Sequence, residues 1–186
     1  ISLFFREDEL NNKFHIIESI IKNKLGLVTK IGARQCIVKD VNKAEGTQFI
    51  IDNHLMGKGA GRVFGLYYQD ELIQAIQIKR LKNKNYEISR FCTKCGYNII
   101  GGLSKLLNYI QSKLEIDILT TFVDRRYGNG AYLSSLGFSF IGCHPSFKWT
   151  DGKQTYHRMK FKGNSGYNHG LVKLWDCGQA KFIKTY

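Results

Sequence analysis

Residues 90–107 read "RFCTKCGYNIIGGLSKLL", and the two glycines near the middle separate two kinds of pattern. After them, Leu103, Leu106, Leu107, Ile110 and Leu114 recur at i, i+3, i+4, i+7 and i+11, which predicts an amphipathic helix. Before them, "YEISRFC" predicts a strand. A strand that leads through Gly101-Gly102 into a helix offers free backbone N–H groups and the positive end of a helix dipole to an anion. The same glycines equally serve a turn that lets the helix pack closely on its strand. Cys92 and Cys95 have the spacing of half a zinc site, but tetrahedral zinc needs two more comparable ligands. Cys143-His144 is the only adjacent pair elsewhere, so the expectation is buried thiols and no metal.

Outward from this stretch the chain alternates strands and helices. Phe14, Ile17, Ile20, Ile21 and Leu25 form one helical stripe that Gly26 ends, and "LGLVTKIGAR" connects it to a strand beginning at Gln35. A short helix around "AEGTQFIIDNHLMG" precedes the strands "RVFGLYY" and "LIQAIQIKRL", which flank the turn "QDE". Beyond the central helix lie the buried-strand run "IDILTTFV", a short helix in "GNGAYLSSLGF" and the strand "FSFIG". Antiparallel hairpins followed by helix, strand, helix and strand predict a mixed α+β sheet flanked by helices, with an N-terminal helical appendage.

The 186 residues carry 28 Lys/Arg against 15 Asp/Glu, a formal net charge of +13. A surplus of that size points to a polyanionic partner, because each neutralised phosphate releases condensed counterions. Residues 144–186 hold eight Lys/Arg against two Asp, with Phe147, Trp149, Tyr156, Phe161 and Tyr167 among them. No run approaches the length of a membrane span. Five irregularly spaced cysteines and no targeting signal predict reduced thiols in a cytoplasmic protein. The start, "ISLFFREDEL", lacks both Met and the pattern of a signal peptide, and reads as a cut from a longer polypeptide.

"NIIGGLSKLL", "IDILTTFVDRRYGNGAYL" and "SSLGFSFIG" together resemble the core of the GNAT acyltransferase superfamily. That resemblance implies a strand, an Arg/Gln-x-x-Gly-x-Gly/Ala loop that cradles the coenzyme A pyrophosphate on backbone amides, and a helix. A strand, a short helix and a "lGF" turn would then follow. The loop here reads Asn98-x-x-Gly101-x-Leu103, without the Arg/Gln and with Leu in place of a small residue.

Five blocks, from "FREDELNNKFHIIESIIKNKLGLVTKIGARQCIV" to "KLWDCGQAKF", resemble the C-terminal region of phage-type homing endonucleases with a very-short-patch-repair-like nuclease domain. This resemblance implies that residues 1–32 are the remnant of an upstream nuclease domain with a linker helix, and that 33–186 form a GNAT-like module gripping double-stranded DNA in a phage-infected bacterial cell. Arg125 and Arg126 would contact phosphates or guanine edges, Asn129 a base edge or phosphate, and Tyr127 would stack. Arg90, Lys94, Tyr97, Asn98 and Lys105 would lie at the same end of the sheet. No catalytic residue and no cofactor are expected on this reading. Glu7, Asp8 and Glu9 read as a solvated turn and His54 as a capping or packing residue, while His15 beside the apolar stripe and His169 in a glycine-rich loop have no partner that suggests chemistry. The alternative is an acyl-CoA-dependent transferase acting on a nucleic acid or a small amine, with Gly101 and Gly102 as its cofactor loop.

Overall fold

A computed structural model describes residues 2–186. The chain forms α1 (Glu7–Lys24), β1 (Thr29–Gly32), a 3-10 turn (Ala33–Gln35), β2 (Ile37–Val41), α2 (Lys43–Asn53), β3 (Arg62–Tyr68), β4 (Glu71–Arg80) and β5 (Asn85–Thr93). It continues through β6 (Tyr97–Ile100), α3 (Gly102–Lys113), β7 (Ile118–Asp124), a 3-10 helix (Ala131–Leu136), β8 (Ser139–His144), β9 (Phe147–Thr150) and β10 (Thr155–His157). Two 3-10 segments (Arg158–Lys160, Ser165–His169), β11 (Val172–Trp175) and β12 (Gln179–Thr185) complete it. The main sheet has the order β2-β3-β4-β5-β7-β12-β8. β2 to β5 are antiparallel and β5 pairs β7 in parallel, so the predicted α+β class with a mostly antiparallel sheet is found.

The chain divides into two compact units. The larger comprises Glu9–Thr121 with Ile183–Tyr186, and the other holds the chain up to Asp8 with Phe122–Phe182. The boundary expected at 32/33 falls inside the larger unit, where β1 pairs in parallel with β6 over Thr29–Gly32 and Tyr97–Ile100.

In the larger unit the β3–β4 hairpin turns on Gln69 and Asp70, both with positive φ (49° and 63°), as the primed turns of tight hairpins require. β4 is buried from Leu72 to Ile78. Ala75 packs with Val41, Ile50, Val63, Leu72 and Cys92 on the side of α2. Gln74, one residue earlier and so on the opposite face, lies against Gly102 at the start of α3. Covering both faces removes the need for alternation, which is why "LIQAIQI" places apolar residues on both faces beside its two glutamines. α2 is capped by Asn42, whose Oδ1 accepts from the Glu45 N–H at 2.9 Å.

α1 departs from expectation. It begins at Glu7, so Glu7, Asp8 and Glu9 form its first turn, with Glu9 buried and Asp8 accepting from Lys148 Nζ at 2.6 Å and Thr155 Oγ1 at 2.8 Å. Lys13 has non-helical angles (φ −139°, ψ 33°), which breaks the regular advance per residue. The predicted stripe begins after that break and still does not lie on one buried face. Ile16 and Ile17 are buried, while Phe14, Ile21 and Leu25 are exposed.

In the other unit β10, β9 and β11 form a separate three-stranded sheet. The expected basic, aromatic tail is here a core: Trp149 is fully buried, with Phe147, Tyr167 and Phe161 rings at 5.4, 5.1 and 6.3 Å.

Candidate functional site

Three features of the larger unit meet around residues 89–105. The first is a free strand edge. β5 pairs β7 only from Asn85↔Ile118 to Ile88↔Thr121, yet β5 runs on to Thr93. Ser89 to Thr93 therefore have no parallel strand partner on that edge among the described residues. At the same level the β4–β5 register slips between Gln77↔Arg90 and Ile78↔Ile88, which leaves Ser89 as a bulge.

The second is the mouth of α3. Gly101 is its N-cap, in the left-handed region at φ 77°, ψ 8°, a conformation glycine adopts without steric cost. No side chain caps the helix, and the N-cap carbonyl, Gly101 O, accepts from the Lys105 N–H at 3.1 Å. The N–H groups of the first turn thus lack a protein acceptor among the described residues, the ordinary state of an anion-binding helix end. A Cβ on Gly101 would meet nothing nearer than Ala33 at 3.9 Å, so the approach is open. Gly102 is different: a Cβ there would overlap the Gln74 carboxamide oxygen, so its glycine serves close packing. The two readings of the pair each hold for one of the glycines.

The third is Gln74 itself. Its Nε2 donates to Thr93 Oγ1 at 2.8 Å, while Oε1 is buried with no donor. An orphaned buried acceptor costs about 1–3 kcal/mol when nothing fills it. The signal was present in the sequence, since Gln74 and Gln77 are the polar residues inside "LIQAIQI".

The residues singled out from the sequence fall in both units. In the larger one, Arg90 donates Nε to Gly57 O at 2.8 Å and Nη2 to Lys58 O at 3.2 Å, holding the 57–61 loop against the bulge. Ser89 Oγ bonds Ala60 O in the same loop at 2.9 Å. Lys94 pairs with Glu71, and Lys105 Nζ donates to Ala33 O and Cys36 O at 2.9 and 2.6 Å. Tyr97 and Asn98 belong to β6, opposite Thr29 and Lys30, so a strand, not a loop, leads into Gly101.

In the other unit Arg126 is 3% exposed and forked onto Asp124, with Nη2–Oδ2 at 2.7 Å. Arg125 Nη1 donates to Cys177 O at 3.1 Å, Tyr127 stacks on Phe5 at 5.4 Å, and Asn129 Oδ1 accepts the Ala131 N–H at 3.1 Å. Cys92 is buried and its thiol is pushed up to about 12 by burial, reinforced by Cys95. Among the described residues no three His, Cys, Asp or Glu side chains gather as a metal site, and no helix is long and apolar enough to cross a membrane. His15 Nε2 lies 3.0 Å from Asp52 O, and His169 packs on Phe161 at 5.1 Å.

No protein-family model and no curated protein sequence matches the chain. Solved structures do. The ribosomal-protein-S18-alanine N-acetyltransferase of Escherichia coli aligns at TM-score 0.53 and 12% identity, over 81% of this chain and 93% of that one. A GNAT family acetyltransferase of Elizabethkingia anophelis with acetyl-CoA bound aligns at TM-score 0.52 and 12% identity, over 82% and 99%. The chain therefore has the GNAT fold. The expectation of a DNA-gripping module from a homing-type endonuclease is corrected: these similar structures are acetyltransferases, and the cations assigned to phosphates are engaged inside the protein.

Proposed function

We propose that the chain is an acyl-CoA-dependent N-acyltransferase. The observation that supports this reading most is the occurrence, on one unit of a GNAT-fold chain, of an unpartnered β5 edge beside an open, uncapped helix mouth entered through a left-handed glycine. The N–H groups of Gly102, Leu103 and Ser104 would take the diphosphate, with the dipole of α3 behind them. Leu103 does not obstruct this, because its side chain is buried in the core. Asn98 brings no charge, so diphosphate affinity rests on the backbone. The free edge of Ser89–Thr93 offers alternating N–H and C=O groups to an amide-bearing chain laid along it as an added strand. Gln74 Oε1 would accept one donor.

When bound, the cofactor supplies a thioester carbonyl: an acceptor amine forms a C–N bond to it, the C–S bond breaks, the amine loses a proton and the leaving thiolate gains one. The fit of this chain's residues is tested by calorimetric titration with acetyl-CoA and by release of free thiol in the presence of an amine. Acetyl-CoA should bind. Gly101→Asp should weaken it at least tenfold, about 1.4 kcal/mol, by setting a carboxylate where the diphosphate sits. Asp and Asn enter the left-handed region more readily than other side chains, so Gly101→Asp and Gly101→Asn should share the same modest backbone strain and differ little from each other in melting temperature. The uncharged Gly101→Asn should bind acetyl-CoA nearly as the parent does. No acetyl-CoA binding at ~1 mM, an affinity below about 4 kcal/mol, would sink the proposal.

A further inference from the structure

From Tyr127 to Phe147 the sequence contains no Lys, Arg, Asp or Glu, although the chain carries 28 Lys/Arg and 15 Asp/Glu in 186 residues. This uncharged stretch is not interior. It includes β8, the last strand in the order of the main sheet, where every residue but Gly142 is exposed. Phe140 is 58% and Ile141 50% exposed, and Tyr132 just before the strand is 56% exposed. β8 has β12 as its neighbour on one side and, among the described residues, no strand on the other, so a row of backbone N–H and C=O groups is unpaired along its outer edge.

Sheet edges of this kind are ordinarily blunted by lysine, by proline within the strand or by a charged residue turned inward. β8 has none of these, since Pro145 comes only after it. A six-residue strand that is uncharged, exposes Phe140 and Ile141 and is open at its edge is a template for pairing. The charge of the whole chain decides which partner suits it. An acidic partner would be drawn to the basic faces of a +13 protein and would gain nothing from this one. Two copies of a +13 chain repel each other least where charge is sparse, and β8 itself carries none.

We infer that β8 is a self-association edge, pairing antiparallel with β8 of a second copy across a two-fold axis. Each copy then satisfies the other's edge hydrogen bonds and buries Phe140 and Ile141, which are exposed in the single chain. This inference is independent of the acyltransferase reading, because it rests on surface residues that take no part in that site.

Sedimentation equilibrium at tens of micromolar tests it. The expected mass is twice 21.4 kDa. The dimer fraction should rise with salt, because screening removes the repulsion between two +13 chains and leaves the apolar contact intact. Ile141→Lys should give a single-chain mass with an unchanged circular dichroism spectrum, and Ser139→Lys, at another exposed position of the edge, provides the second variant should the first not fold. The exposed Cys143 thiol should react more slowly with a thiol reagent in the dimer than in the Lys variants. A single-chain mass at every salt concentration, or a dimer that persists in both Lys variants, overturns the inference.

Discussion

Asp124→Ala should cost the protein about 3–5 kcal/mol of folding stability, the range for removing one partner of a buried ion pair. Arg126 is 3% exposed, and its guanidinium is held by Asp124 through Nε at 3.1 Å to both carboxylate oxygens and Nη2 at 2.7 Å. Asp124 Oδ1 also accepts the Arg126 N–H at 3.0 Å, so one carboxylate fixes both the side chain and the turn that carries it. The Tyr127 ring lies 4.7 Å from the guanidinium and adds a cation–π contact. Without the carboxylate a buried cation keeps its desolvation cost and loses the charge it is forked onto. Removing both charges, in Asp124→Ala with Arg126→Met, should cost less than Asp124→Ala alone, because no uncompensated ion remains. Urea unfolding of the three variants checks this. A loss of under about 1 kcal/mol in Asp124→Ala would show the pair to be worth no more than a surface salt bridge.

That pair also marks where sequence reading stops. "VDRRYGNG" supplies two arginines beside an aspartate, and nothing in the letters says which arginine turns inward. Burial is a tertiary property, decided here by how the turn after β7 meets the N-terminal segment, where Phe4 N–H bonds Arg126 O at 3.2 Å. The same holds for Arg90, Lys94 and Lys105, which reach partners 23 to 72 positions away in the chain, Arg90 also bonding the carbonyl of its neighbour Ser89. Net charge counted such residues as available for phosphate, although their donors are taken. Local patterns fared better. The α3 spacing, the Gln69–Asp70 hairpin and the glycine turn into α3 all depend on contacts within a few residues, and all three are found. The order of the last strands was not legible, because β12 enters the sheet between β7 and β8 from the far end of the chain. Gln74 was legible and passed over: a glutamine inside an apolar strand must find a use for both ends of its amide.

Lowering the pH from 7 to about 4 should remove about 3 kcal/mol of stability through His54 alone, whose pKa falls from 6.5 to about 4 on folding. His54 ends α2, and its Nδ1 accepts the Met56 N–H at 3.1 Å, which requires that nitrogen to be unprotonated. Burial, and then the positive charges of Arg90 and Lys13, push its pKa down from 6.5 to about 4. The cations stay where they are on acidification: Lys13 Nζ is bonded to His54 O at 3.2 Å and Arg90 to Gly57 O at 2.8 Å. In the unfolded chain the imidazole takes a proton near its ordinary value, so between 6.5 and 4 the unfolded state holds more protons than the folded one. The stabilisation is therefore complete above pH 6.5, falls as the pH drops through that window, and flattens below 4 where both states are protonated. His54→Asn removes the titrating group and can still present an acceptor, so its urea midpoint should change far less between pH 7 and 4.5 than that of the parent. Equal acid sensitivity in the two proteins would assign the loss to carboxylates such as Asp8 and not to His54. If stability rose on acidification, the direction of the shift would be wrong. The effect bears on the proposed site directly, since protonating His54 sets a third cation beside the Arg90 clamp that holds the 57–61 loop on the Ser89 bulge.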